Sequence, residues 1–475
     1  MTGPIMPGET HRAEGKQITI DPITRLEGHG KIEIFLNDDG NVANTYFQIP
    51  ELRGFEKFCI GRPVEELARL TPRLCGGCPG AHHIASAKAL DAVFDTTPTD
   101  TAVHLRRLFY EAHYIHSHIA HFFALAAPDY VLGPGAPKEA RNVLGVVEAV
   151  GLEIGGAVLK ARSQAQWIQE LLGGKATHPV NGLPGGVSRG MDEEEWEKVK
   201  GIAHDLLEFS KFSLENVLYP IVLENEDYLN VITDKDLYYH ETYYMGMVDK
   251  DMKVDFYDGT VRVVDPSGKE FANFHPDDYL EHIAEHVEPW SYLKFPFLKK
   301  KGWTGFNDGP DSGVMRAAPL ARLNVAEGMT TPLAQKEFEK FFKTLGRPAH
   351  HTLAMHWARI VELLNSAEHL VELAESDKCL DKDLRAPLGE PGEGIGILEA
   401  PRGTLIHHYW ADSEGMTTDL NLIVATAHNN AAICMGTKKV AQALIKDWQV
   451  NDGLLNMVEM CFRAYDPCFA CATHN

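Results

Sequence analysis

The sequence predicts a mainly helical α+β protein: one large domain, residues 16–475, with small sheets and β-hairpins at its edges, behind a flexible arm at 1–15. Three observations predict it. Long stretches carry apolar residues at three- and four-residue steps, as helices do. Three separate segments carry hairpin signals instead. No period of 20–50 residues repeats and no low-complexity linker divides the chain.

The elements follow in order. Residues 1–15 are rich in Gly, Pro and charge and read as a loose arm. Ile18 to Ile20 leads into Lys31 to Leu36, which alternates around Ile32, Ile34 and Leu36. The Asn37-Asp38-Asp39-Gly40 turn then leads to Val42–Ile49. A second hairpin signal spans 254–271, with turns at Asp258-Gly259 and Pro266-Ser267-Gly268. A third runs from Gly394 to Thr426 and turns at Asp412-Ser413-Glu414-Gly415. Helices are expected within 98–126, 137–172, 193–223, 333–375 and 437–446. Gly and Pro clusters at 133–135 and 181–186 break the pattern.

Composition narrows the function. The 475 residues suit about three average domains or one large one. Acids outnumber bases by 67 to 45, a formal net charge of −22. Such a surface repels phosphate backbones and anionic headgroups, so neither nucleic acid nor a membrane surface is the expected partner. No apolar run reaches the ~18 residues of a membrane span. The N-terminus has no apolar core of a secretory signal, so the expected location is cytoplasmic.

Four of the eight cysteines form two C-x-x-C pairs, Cys75/Cys78 and Cys468/Cys471; Cys59, Cys379, Cys434 and Cys461 stand alone. In a reducing compartment this reads as a metal or redox site. Each pair can aim two sulfurs at one ion, and thiolates favour soft or borderline metals. A structural zinc site is the plain alternative, although zinc knuckles usually lie about 15–20 residues apart in one small module. Here almost the whole chain intervenes. If the pairs share a site, the N- and C-terminal segments must meet there.

Arg73-Leu74-Cys75-Gly76-Gly77-Cys78-Pro79-Gly80-Ala81-His82 and Asp466-Pro467-Cys468-Phe469-Ala470-Cys471-Ala472-Thr473-His474 together resemble the paired signature of nickel–iron hydrogenase large subunits. Pro22 to His29, Arg53 to Glu56 and Glu399 to Gly403 match further blocks of that family in order, so the resemblance spans nearly the whole chain. Phe55 to Phe58, His118 to Pro128 and Arg463 to Pro467 are most similar to the cytoplasmic methyl-viologen-reducing, deazaflavin-non-reducing branch, which couples to heterodisulfide reductase in methanogenesis.

The resemblance implies reversible heterolytic cleavage of dihydrogen. By it, Cys75 and Cys468 are terminal nickel ligands, and Cys78 and Cys471 bridge nickel to an iron that carries carbonyl and cyanide. Cys468 is the first proton acceptor, Glu27 the relay outward, and Arg402, after Pro401, orients ligands or substrate. Thr426 offers its hydroxyl to a cyanide, and His82 donates to a cluster sulfur. Glu56, the Leu422 carbonyl and His474 match a separate site for magnesium, or iron or manganese in its place. The family removes a C-terminal extension beyond this histidine, and Asn475 alone follows it here. Ser117 stands where the membrane-bound uptake branch tends to have aspartate. Without the resemblance, Glu27 reads as a solvated carboxylate, Arg402 as a partner of Glu399, and His113, His116, His118 and His121 as polar packing or a proton path.

The four single cysteines are too scattered for iron–sulfur clusters. An iron–sulfur small subunit is therefore the expected obligate partner, with heterodisulfide reductase and a further electron-transfer subunit downstream. A hydrogen-sensing subunit with the same metal site is the alternative function.

Overall fold

The alternation of Ile32, Ile34 and Leu36 becomes the middle strand of a three-stranded antiparallel sheet in the computed structural model, which describes residues 8–474. Lys31–Leu36 pairs with Gln17–Ile20 on one side and Val42–Gln48 on the other, with Ile18 opposite Ile34 and Ile32 opposite Phe47. Asn37 holds the turn by accepting the N–H groups of Asp39 and Asn41, and Gly40 takes the left-handed conformation there. The inner face packs on the C-terminal end of the chain: the Phe47 ring lies 5.5 Å from Phe462 and 5.2 Å from Phe469.

The arm is corrected over the part described. His11–Arg12 pairs with Gln449–Val450, Ala13 N–H donates to Trp448 O at 2.8 Å, and the Arg12 guanidinium lies 4.9 Å over the Trp448 ring. A charged, Gly-rich composition is tied down here because an open strand edge and an indole face lie within reach. Residues 1–7 of the expected arm lie outside the described residues.

Roughly half the chain is helical and the sheets are small, in a single domain, but not all lie at the edges as expected: strands Tyr243–Val248 and Gly403–Ala411 are buried wholly or nearly so, because helices pack over them. The expected 98–126 stretch is Asp100–Ala120 followed by wide π-type turns over His121–Ala126. The 137–172 stretch splits at Gly151 (φ +92°) into Val143–Val150 and Leu152–Gly173. Glu193–Phe212 begins with a capping box between Asp192 and Glu195. The 333–375 stretch is two helices, Pro332–Leu345 and Met355–Ala374, and 437–446 is the end of Asn430–Leu444. The helices Pro79–Val93 and Asp452–Ala464 were not anticipated.

The third hairpin segment holds three strands, Glu393–Ala400, Gly403–Ala411 and Thr417–Ile423. Its extra turn, at Pro401 and Arg402, was not expected; the second falls at Asp412 to Gly415 as expected. Helix Pro79–Val93 lies directly on this sheet. A Cβ on Gly396 would come 2.2 Å from Ala85 O, so only glycine permits the approach. The second segment forms Thr260–Val264 and Glu270–Phe274, joined in one sheet to the wholly buried strand Tyr243–Val248.

A buried ion network fastens the N-terminal segment to the C-terminal helix. Asp129 accepts Arg25 Nη2 at 2.5 Å and Arg463 Nη1 at 3.3 Å, while Arg463 Nη2 reaches Thr24 Oγ1 at 2.9 Å and Glu459 Oε2 at 2.9 Å. Burial alone would raise the Asp129 carboxyl, but the two guanidinium charges outweigh it and hold it below the usual range. Asp129→Asn should therefore cost about 3 kcal/mol at neutral pH, since it leaves buried cations uncompensated. Because the folded carboxyl is depressed, its contribution is complete above the unfolded value and is lost as pH falls. The gap in urea midpoint between wild type and variant should thus close below about pH 4.

Candidate metal centre

Cys75 follows the tight turn Thr71–Leu74, and its sulfur accepts Gly77 N–H at 3.2 Å and Cys78 N–H at 2.7 Å. Arg402 packs close over Gly77: a Cβ there would lie 3.3 Å from Arg402 Nη2, a tight contact that the guanidinium would have to yield to. Cys78 then caps helix Pro79–Val93. The second pair is reached through Asp466, whose left-handed backbone (φ +54°) turns the chain out of helix Asp452–Ala464. There Glu27 and Cys468 form a backbone bridge, with Phe469 N–H donating to Glu27 O at 3.1 Å.

The bridge brings the pairs together. Cys75 Sγ lies 3.2 Å from Cys468 Sγ, and Cys78 Sγ lies 3.9 Å from Cys471 Sγ. All four cysteines are buried. Ligand atoms of Cys75, Cys78, Cys471 and His82 lie within 4.8 Å of one another, and so do those of Glu27, Cys468 and Cys471. Burial pushes the Cys75, Cys468 and Cys471 thiols up, since a thiolate without a cation is costly in a dry site. Cys78 is drawn down, because the thiols of Cys468, Cys471 and Cys75 donate to its sulfur.

Around the sulfurs stand the other expected residues. The Cys468 thiol donates to Glu27 Oε2 at 2.9 Å, and Ala470 N–H donates to the same oxygen at 3.2 Å. Burial raises the Glu27 carboxyl, and those two bonds only partly offset it. Beyond Glu27 the chain turns at Gly28 beneath Glu51, whose carboxylate meets the ring Nδ1 of exposed His29 at 3.0 Å. Glu27 is therefore half-buried rather than solvated, and it faces both inward and outward.

Arg402 does not pair with Glu399. Its Nε donates to Asp466 O at 2.6 Å and its Nη2 to Asp466 Oδ1 at 3.0 Å, while Nη1 reaches Ser117 Oγ at 3.4 Å. Glu399 instead meets Arg322. Thr426 lies past the strand, in the turn Ala425–Asn429, where its hydroxyl oxygen accepts Cys468 N–H at 3.0 Å. His82 Nδ1 pairs with His407 Nε2 at 3.0 Å, and His407 Nδ1 with the Tyr409 hydroxyl at 2.6 Å. His82 Nε2 is left buried without a partner on the side of the sulfurs.

The histidine run does not converge. His113 meets Gln169, His116 meets Arg162, His118 meets Glu362 and His121 meets the Arg463 carbonyl. Glu56, Leu422 and His474 do come together: Leu422 N–H donates to Glu56 Oε1 at 2.8 Å, and His474 Nε2 lies 2.8 Å from Leu422 O and 3.6 Å from Glu56 Oε1. Asp466 and His407 were missed as contributors. Asp466 stood in the motif; His407, on a buried strand, gave no signal at all.

Four thiolates with an orphaned imidazole beside them suit a soft divalent metal. Residues 53–139 and 194–474 match the family described as nickel-dependent hydrogenase, and residues 17–52 match one described as HoxL-like. The chain belongs to the nickel-dependent hydrogenase large-subunit family. It is 48% identical over 462 residues to an F420-non-reducing hydrogenase iron-sulfur subunit of Archaeoglobus profundus, covering 97% of this chain and 94% of that one. An F420-non-reducing hydrogenase subunit of Methanothermobacter thermautotrophicus is 43% identical, over 96% and 94%. Among solved structures, an NAD+-reducing [NiFe]-hydrogenase in the H2-reduced state superposes with a TM-score of 0.90 at 36% identity, over 97% of this chain and 100% of that one. The family resemblance read from the motifs is thereby borne out. The chain is the catalytic large subunit of a nickel–iron hydrogenase, an oxidoreductase, and nickel and iron are the metals its family implies.

The Thr426 bond can be isolated from metal chemistry. Thr426→Val keeps the shape but leaves the buried Cys468 N–H without an acceptor, and should lower stability by about 1–3 kcal/mol. A fall in the urea midpoint at unchanged slope would show it; an unmoved midpoint would contradict it.

Proposed function

We propose that this subunit cleaves dihydrogen reversibly and heterolytically at a nickel–iron centre held by Cys75, Cys78, Cys468 and Cys471. The observation that carries this reading is the 2.9 Å contact between Cys468 Sγ and Glu27 Oε2 at the edge of a buried four-sulfur group. Cys75 and Cys468 would be the terminal nickel ligands; Cys78 and Cys471 would bridge to iron carrying carbonyl and cyanide. When bound, the metals supply an electron-rich centre that polarises dihydrogen.

The residues supply the rest. The Cys468 sulfur takes the proton and passes it to Glu27, already at hydrogen-bonding distance. A carboxyl raised by burial accepts and releases protons more evenly near neutrality than an ordinary one, which suits a relay. Glu51 and His29 lie on its outward side. Arg402, held by Asp466 beside Gly77, orients ligands or substrate, and Pro401 precedes it in the turn. Thr426 and His82 hold the surroundings of the sulfurs. Glu56, Leu422 O and His474 would hold magnesium, or iron or manganese, near the C-terminus.

Electrons leave through a partner. Relatives of this chain bear the names of hydrogenase subunits, one of them called an iron-sulfur subunit. The obligate partner we assign is an iron–sulfur small subunit, with a heterodisulfide-reductase-type acceptor and a further electron-transfer subunit beyond it. Among the described residues no helix is long and apolar enough to cross a membrane, and a cytoplasmic location is part of this proposal.

Metal analysis with infrared spectroscopy tests the centre: nickel and iron together with carbonyl and cyanide stretches are expected, and zinc alone among the four cysteines would overturn the reading. Cys468→Ser should abolish hydrogen uptake; undiminished uptake by a nickel-loaded variant would exclude the role given to Cys468. Glu27→Gln should suppress hydrogen/deuterium exchange with solvent by about 100-fold or more while nickel content holds, a loss typical of removing a general acid–base group. Unchanged exchange would exclude the relay.

A further inference from the structure

Arg402 sits in a turn that the backbone alone would not choose. Ala400 pairs with Gly403, so Pro401 and Arg402 form a two-residue hairpin loop. Such loops favour turns whose first central residue has positive φ, which matches the strand twist. Proline holds φ near about −65° and forbids that choice. Gly403 then adopts φ +135°, where a Cβ would stand 2.1 Å from Ala317 O.

Four consecutive carbonyls of this turn are each taken by a side chain from elsewhere in the fold. Glu399 O accepts the hydroxyls of Tyr110 (2.5 Å) and Tyr114 (2.8 Å). Ala400 O accepts Arg322 Nη1 at 2.8 Å, and Pro401 O accepts Arg322 Nη2 at 2.9 Å. Arg402 O accepts Asn429 Nδ2 at 3.0 Å. These donors are themselves held. Glu362 takes Arg322 Nε at 2.5 Å and Nη2 at 2.7 Å, and Glu399 Oε2 takes Nη1 at 3.0 Å. Asn429 Oδ1 accepts Ala317 N–H at 2.9 Å. Arg322 is fully buried and Asn429 nearly so, and the hydrogen bonds of both run to the turn and its supports.

We propose that Arg322 and Asn429 are positioning residues: they fix the Pro401–Arg402 turn, and thereby set where the Arg402 guanidinium stands above Gly77. The proposal rests on the role given to Arg402 in the proposed function. Arg322 suits the task because its planar fork bonds two acids and two carbonyls at once, which a lysine cannot do. A charged group buried only to add stability would have no need to spend two of its donors on the carbonyls adjoining Arg402.

The test uses the assembled holoenzyme and a double-mutant cycle with Arg402→Lys. Asn429→Ala should lower dye-coupled hydrogen oxidation per nickel about 10-fold, as small displacements of a reacting group do. In the Arg402→Lys background the same change should cost less than about 2-fold, because the group it positions is gone. The nickel electron paramagnetic resonance should shift in the same sense in Asn429→Ala and in Arg402→Lys at unchanged nickel content. If Asn429→Ala does not accumulate, Arg322→Lys takes its place in the cycle with the same expectations. Equal fold-losses in both backgrounds, or an unmoved nickel spectrum, would overturn the positioning role and leave the hydrogenase reading standing. A wild-type enzyme that holds nickel but oxidises no hydrogen would overturn both.

Discussion

The structure depends on holding two sulfurs from each end of the chain side by side, Cys75 with Cys468 at 3.2 Å and Cys78 with Cys471 at 3.9 Å, across a separation of 393 residues, with no disulfide among them. Closing so long a loop has an entropic cost that cluster contacts alone would not meet in a metal-free chain, where burial makes three of the thiols reluctant to ionise. The closure is made elsewhere. Phe47 packs on Phe462 and Phe469, Asp129 joins Arg25 to Arg463, and Glu27 bridges Cys468 through the backbone. Each fastens the N-terminal segment to the C-terminal one, and together they hold the two cysteine pairs side by side.

That arrangement explains where charge sits. The inner side of the site is dry, and the two guanidiniums on it that meet acids are paired at close range: Arg402 with Asp466, and Arg322 with Glu362 and Glu399. Even so, burial lifts Glu399 to about 7 against the pull of Arg322, a sign of how low the local dielectric is. In such a medium a guanidinium placed without partners would be prohibitive, and one placed with rigid partners acts at full strength. The four anchored carbonyls of the Pro401–Arg402 turn are the mechanical counterpart of this electrostatic requirement.

What was legible in the sequence follows from the same physics. Both C-x-x-C pairs lie in short contiguous motifs that pattern alone singles out, whereas Glu27 and Arg402 stand out only through the family resemblance of the blocks around them. Amphipathic helices such as Glu193–Phe212 announced themselves by apolar spacing, and the Lys31–Leu36 strand by alternation. Helix Pro79–Val93 did not, because the sheet covers it on one side and other helices on the rest, leaving nearly every residue buried and no period to read. Strand Tyr243–Val248 was hidden for the same reason. The Asp466 partnership, His407, Arg322 and Asn429 are defined by what they touch across hundreds of positions, and no local spacing encodes that.

Arg402 and Glu27 are held differently, and the difference bears on direction. The Arg402 turn is held by donors from helices Asp100–Ala120 and Pro319–Val325 and from the turn Ala425–Asn429, whereas Glu27 is half-buried, precedes the turn at Gly28, and among the described residues accepts the Cys468 thiol and Ala470 N–H. In the proposed function, a proton released at Cys468 stands between the Arg402 guanidinium and the Glu27 carboxyl, 2.9 Å from the latter. Electrostatics repels it from the first, and geometry admits it to the second. The proposed path out of the site is thus set by where the fold puts that cation and that acceptor.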